Sequence, residues 1–250
     1  MHERRGRAKQ LHMNSPFSLA RGLYAIADFD SCLRRGLDPY QVAAAMVRAQ
    51  VAVLQLRAKS VSDEDYLSWI QATLVLCGET VPLFVNDRLD LALLAGAPGV
   101  HLGQDDLPVE HAKRLDKQIC TGLSTHDLEQ IKEGLVVRPS YLAFGPVFAT
   151  TSKSNAEPTT GLLQLQAAHQ LSQASGVPLV AIGGISDTTL DEVAPHCELI
   201  AAISLLLPDE ADSEPYAFIE QRCSALQTRL KDARLKQNGG TQSRSSAAQS

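Results

Sequence analysis

Eight short apolar runs, each followed by a helix-like stretch, constrain this chain more than any other feature. The runs are LYAIAD (from Leu23), VLQLR (Val53), LFVN (Leu83), GVHLG (Gly99), ICTGLS (Ile119), YLAFGPV (Tyr141), LVAIGGI (Leu179) and LIAAIS (Leu199). Continuous apolar runs are the pattern of strands buried on both faces, and strands that alternate with helices are expected to run parallel. The intervening segments carry matching signals. Ser62-Asp63-Glu64-Asp65 reads as a capping box before Tyr66 and Leu67. DPYQVAAAMVRAQ and LLQLQAAHQLSQ repeat apolar residues every three or four positions, and Ile219, Cys223, Leu226 and Leu230 share one face of a last helix. Eight such units predict an α/β fold, a parallel eight-stranded (β/α)8 TIM barrel at the small end of its size range. No G-x-G-x-x-G follows the first run, so an open dinucleotide-binding sheet has little support.

The barrel is expected over 21–232, with a flexible basic arm over 1–20 and a disordered polar tail over 233–250. The arm lacks the apolar centre of a secretory signal, and no run approaches the length of a membrane span. A net charge of −5 argues against nucleic acid as a partner, yet leaves room for small anions, which need only a local positive site. Five scattered cysteines without a C-x-x-C pair point to buried thiols in a reducing cytoplasm. A homo-oligomer is compatible with all of this.

Barrel enzymes place their chemistry at the carboxyl ends of the strands. In VLQLRAK, Gln55, Arg57 and Lys59 share parity, so an amide and two cations face one way. The bland alternative pairs Arg57 with a neighbouring carboxylate and leaves Lys59 in the loop. Asp87, after FVN, and Asp106, after HLGQD, stand at neighbouring strand ends, where two carboxylates suit one hard cation such as Mg2+. Each also reads as a helix N-cap. Ser124 reads either as a ligand donor or as a cap, and His101 and His126 as structural. Gly183 and Gly184 open backbone N–H groups toward an anion, with Ser186 starting a helix, and Ala201–Ser204 complete the phosphate site common after strands seven and eight. The connection FATTSKSNAEPTTG (Phe148–Gly161) far exceeds the usual 2–6 residues. Its Thr150, Ser152 and Lys153 are phosphate-binding groups; its composition equally suits a slack surface loop.

LYAIAD, QLRAK, NDRLDLA, GVHLGQDDLP, GLSTH, FGPVFATTSK and VAIGGI, in that order, resemble the thiamine-phosphate synthase family. The resemblance implies a cytoplasmic transferase of thiamine biosynthesis. It would join a hydroxymethylpyrimidine diphosphate to a thiazole phosphate, whether or not the thiazole is carboxylated, and release pyrophosphate by a dissociative route. It further implies that Asp87 and Asp106 hold Mg2+, and that Arg57, Lys59, Asn86 and Lys153 bind the pyrophosphate with Ser124 donating nearby. Gln55 would face the pyrimidine, while Thr150, Ser152, Gly184 and the backbone of Ile203 and Ser204 would take the thiazole phosphate. The long connection would close over the site. Ser152 replaces a frequent Thr, Ala58 a frequent acid, and Leu199 a frequent small residue. Thiazole tautomerase and regulatory relatives tend to lose the metal and diphosphate residues, all of which stand here.

Overall fold

The computed structural model describes residues 19–150, 158–208 and 212–245, with side chains as far as residue 235. Eight strands lie where the apolar runs place them: β1 (Gly22–Asp28), β2 (Val53–Arg57), β3 (Leu83–Asn86), β4 (Gly99–Leu102), β5 (Cys120–Thr125), β6 (Tyr141–Phe144), β7 (Leu179–Ile182) and β8 (Leu199–Ala202). They pair in parallel and in sequence order, and β8 closes on β1. The helices are α1 (Phe29–Arg34), α2 (Pro39–Arg48), α3 (Asp63–Cys77), α4 (Leu89–Ala95), α5 (Val109–Leu115), α6 (Leu128–Val137), α7 (Gly161–Ser175), α8 (Leu190–Val193) and α9 (Pro215–Ser245).

Local chemistry starts these helices as expected. The Ser62 hydroxyl accepts the Asp65 N–H at 3.1 Å, and Asp38 accepts from Tyr40 with Pro39 in the first turn of α2. Strand parity then sorts the apolar residues into two cores. Leu54 and Leu56 point outward into the layer between sheet and helices, which also takes Ile219, Cys223, Leu226 and Leu230 of α9. Tyr24, Ile26, Val53, Phe84, Tyr141, Val180 and Leu199 fill the barrel interior. A fully buried leucine contributes roughly 1.5–3 kcal/mol by leaving water. Because both faces are covered, the strands carry the continuous apolar runs seen in the sequence.

The body does not stop at 232: the backbone of α9 stays helical to Ser245. Arg234 docks it by donating to the carbonyls of Cys197 and Glu198 at 3.3 and 2.8 Å. Leu199 is fully buried in the barrel interior. Ala58 packs half-buried against the outer core.

Candidate active site

At the carboxyl end of the barrel a cavity of about 1320 Å3 is bordered by Gln55, Arg57, Lys59, Asn86, Asp87, Asp106, Ser124, Thr150, Gly184, Ile203 and Ser204. These are all the candidate residues that fall within the described part of the chain. Ser152 and Lys153 lie outside it. The volume exceeds the roughly 300–1,000 Å3 of drug-sized ligand sites.

Both cations of the second unit meet carboxylates. Arg57 donates to Asp28, its register partner on β1, which is 2% exposed. Asp28 also accepts the Ser31 N–H at 2.8 Å, capping α1, so one carboxylate anchors a helix and aims a guanidinium. The pairing with a neighbouring carboxylate is thus real, and it leaves Arg57 on the cavity wall. Lys59, in the loop after β2, reaches the Asp87 carboxylate.

Asp87 and Asp106 are not caps. Arg88 and Pro108 occupy the cap positions of α4 and α5, without side-chain cap bonds. Asp87 has φ +61°, in the left-handed region that Asp tolerates better than most residues, and its N–H donates to the His101 carbonyl at 2.8 Å. Asp106 turns back to accept the Gly103 N–H at 2.7 Å. Burial pushes its carboxyl above the usual carboxylate range. The Gly103 N–H opposes this, and the adjoining Asp87 carboxylate adds to it. Two carboxylates thus crowd one corner of the cavity.

Ser124 does not cap α6; Asp127 does, accepting the Gln130 N–H at 2.8 Å. The Ser124 hydroxyl instead lies 2.9 Å from His101 Nε2. His126 also borders the cavity, its Nδ1 2.6 Å from the Gly145 carbonyl. His101 is not merely structural: it borders the cavity and stacks on Tyr141 at 5.6 Å and 11°. Its Nδ1 lies 2.7 Å from the Tyr141 hydroxyl. That hydroxyl lies 2.6 Å from Tyr24, to which Gln55 donates at 2.9 Å. Burial raises the pKa of both phenols well above the ordinary value, so both keep their protons. Gly122 makes the arrangement possible: a Cβ there would fall 2.2 Å from the Tyr141 hydroxyl and 2.7 Å from His101 Nδ1. Asp28, Tyr24, His101 and Tyr141 are the site residues that sequence reasoning missed.

Opposite the carboxylates, Gly183 and Gly184 take φ of +98° and +63°. A Cβ at Gly184 would collide with the Ala149 and Phe148 carbonyls at 2.3 and 2.6 Å, so glycine lets this turn pack on the segment after β6. Ser186 does not start α8; it sits in a turn whose carbonyl accepts from Thr189 and Leu190.

A family model described as thiamine monophosphate synthase matches residues 23–206, from β1 to just past β8. A thiamine-phosphate synthase of Syntrophomonas wolfei is 38% identical over 204 residues, covering 81% of this chain and 93% of that protein. Another, from Synechococcus sp. (strain CC9311), is 41% identical over 191 residues and 74% of this chain, which spans only about half (52%) of that longer relative. Among solved structures, the thiamine phosphate pyrophosphorylase of Pyrococcus furiosus superposes with a TM-score of 0.70 at 26% identity, covering 85% of this chain and 96% of that one. A match that runs through all eight strands and takes in every described residue of the cavity makes this chain a member of the thiamine monophosphate synthase family.

Proposed function

We propose that this protein is a thiamine-phosphate synthase, a transferase that joins 4-amino-5-hydroxymethyl-2-methylpyrimidine diphosphate to a thiazole phosphate. The products are thiamine monophosphate and pyrophosphate. The observation that carries this reading is the convergence of Arg57, Lys59, Asn86, Ser124 and the Asp87–Asp106 pair on one cavity in a chain of this family.

The bond between the pyrimidine methylene and the diphosphate oxygen breaks with its electron pair leaving on pyrophosphate. The thiazole nitrogen then supplies the pair for the new C–N bond. No proton has to move, so the residues act by position and charge. Arg57, aimed by Asp28, and Lys59 neutralise the departing diphosphate. Asn86 at the end of β3 and the Ser124 hydroxyl supply neutral donors, and Lys153 adds a third cation from the connection after β6. Gln55 reads the pyrimidine edge. Thr150, with Gly184 and the backbone at Ile203 and Ser204, takes the thiazole phosphate on the opposite wall, and Ser152 shares that role.

The donor set fits Mg2+. Asp87 and Asp106 offer adjacent hard oxygens, and their mutual repulsion, eased on one side by Lys59, is what a divalent cation relieves. Held by these two residues, Mg2+ would neutralise charge on the leaving pyrophosphate. The absence of a helix apolar enough to span a membrane among the described residues agrees with a cytoplasmic enzyme.

The direct test incubates the purified protein with both substrates and Mg2+ and follows thiamine phosphate by fluorescence after oxidation. Product that depends on both substrates is expected; none from folded protein and verified substrates overturns the reading.

A further inference from the structure

Five side chains from five strands form one unbroken hydrogen-bonded row across the cavity floor. Gln55 on β2 meets Tyr24 on β1 at 2.9 Å and also bonds to Tyr141 on β6, and Tyr24 meets Tyr141 at 2.6 Å. Tyr141 meets His101 Nδ1 on β4 at 2.7 Å, and His101 Nε2 meets Ser124 on β5 at 2.9 Å. We propose that this row is proton-ordered, so that an anion held by Ser124 sets which face the Gln55 amide turns to the pyrimidine.

Each phenol has a single proton, and a neutral imidazole has a single N–H. The row therefore points one way or the other as a unit. If Ser124 donates to His101, then His101 donates to Tyr141, Tyr141 to Tyr24, and Tyr24 to the Gln55 carbonyl oxygen, leaving the amide nitrogen toward the cavity. If Ser124 accepts from His101 Nε2–H, every link reverses. Tyr141 then donates to Nδ1, Tyr24 donates to Tyr141, and the Gln55 amide N–H donates to Tyr24, leaving its Oε1 toward the cavity.

An anion beside Ser124 requires the serine O–H to donate, which locks in the second arrangement, the one in which the Gln55 amide nitrogen stands toward Tyr24 in this structure. Gln55 then presents an acceptor, matched to an exocyclic amino group and mismatched to a ring carbonyl, because two acceptors facing each other leave both unpaired. Recognition of the diphosphate end thus sharpens recognition of the amino end. Tyr24 and Tyr141 are positioning residues in this scheme. The inference rests on the synthase reading, in which Ser124 and Gln55 receive the two ends of one substrate.

The test uses calorimetry at pH 8, above the ordinary imidazole range. The full-length protein is titrated with 4-amino-5-hydroxymethyl-2-methylpyrimidine and with its 4-oxo counterpart, each with and without inorganic pyrophosphate and Mg2+. Charge effects common to both compounds cancel in the ratio of their affinities. Pyrophosphate should raise the amino-over-oxo ratio about fivefold or more in the wild type. That rise should vanish in Tyr24→Phe and Tyr141→Phe while both variants stay folded and keep their pyrophosphate affinity. Nitrogen-15 spectra of labelled histidine should place the His101 proton on Nε2 once pyrophosphate is bound. A ratio indifferent to pyrophosphate in a wild type that binds both ligands, or a proton on Nδ1, overturns the ordered row and leaves the synthase reading standing. Failure to bind either ligand overturns both.

Discussion

Asp28 and Arg57 face each other across the β1–β2 register at the rim of the cavity, and the carboxylate is almost wholly buried beneath the guanidinium. Removing the cation strands a buried charge. Arg57→Ala should therefore cost about 3 kcal/mol of stability in urea unfolding, besides its loss of activity. The double variant Asp28→Ala/Arg57→Ala should recover part of that stability and none of the activity. Additive losses in the double variant would show that the pair is not coupled.

The adjacent carboxylates should govern metal dependence. Asp87→Asn and Asp106→Asn should each raise the Mg2+ concentration for half-maximal rate by no less than the ~10–100-fold typical of residues that merely support a ligand. Initial rates across a Mg2+ series decide this. An unchanged midpoint in either variant removes that residue from the metal site.

Lys153 should act on turnover alone. Losing one charge-stabilising donor typically costs about 100–1,000-fold in kcat, and Lys153→Ala is expected to fall in that range with its Tm unchanged. Near-normal turnover would return the connection after β6 to the status of a linker.

Glu198, at the opposite end of the barrel, should shape acid stability. Burial alone would raise its carboxyl, but His169, with Nε2 at 3.5 Å, and the Leu179 N–H at 2.9 Å outweigh burial and hold it below the usual carboxylate range. In acid the unfolded chain therefore takes up this proton first. The stabilisation is present above the unfolded value and is lost as pH falls through the folded one. Glu198→Gln should flatten the fall in urea midpoint below about pH 5. Parallel profiles for variant and wild type would contradict this.

The thiols should be silent in the folded protein. Burial pushes Cys32, Cys77, Cys197 and Cys223 up to about 12, and Cys120 is raised by burial as well. A disulfide reagent at pH 8 should release little colour from native protein and five equivalents after unfolding. Rapid native labelling of any thiol other than the half-buried Cys120 would contradict their burial.

The barrel was readable because strands covered on both faces leave a continuous apolar signature, and LYAIAD or YLAFGPV carries it without help from tertiary context. The site was readable where polarity broke that signature, as with Gln55 in VLQLR. His101 breaks GVHLG in the same way, and giving it equal weight would have found it. Tyr24 and Tyr141 were not readable: each passes for an apolar strand residue, and they meet only because the barrel closes, across 117 positions. The parity of Tyr24 with Asp28 was a weaker clue to the inward face of β1. The reach of α9 was hidden by its polar composition, since Arg234 docks on backbone carbonyls rather than on an apolar stripe.

Gly122 has a bearing on redesign. Positions around this cavity do not offer equal freedom to anyone retuning which heterocycle it accepts. Any side chain at position 122 must take the space of the Tyr141 phenol and of His101 Nδ1, so libraries that randomise 122 alone will recover mostly the parent, whereas 141 can shrink by itself.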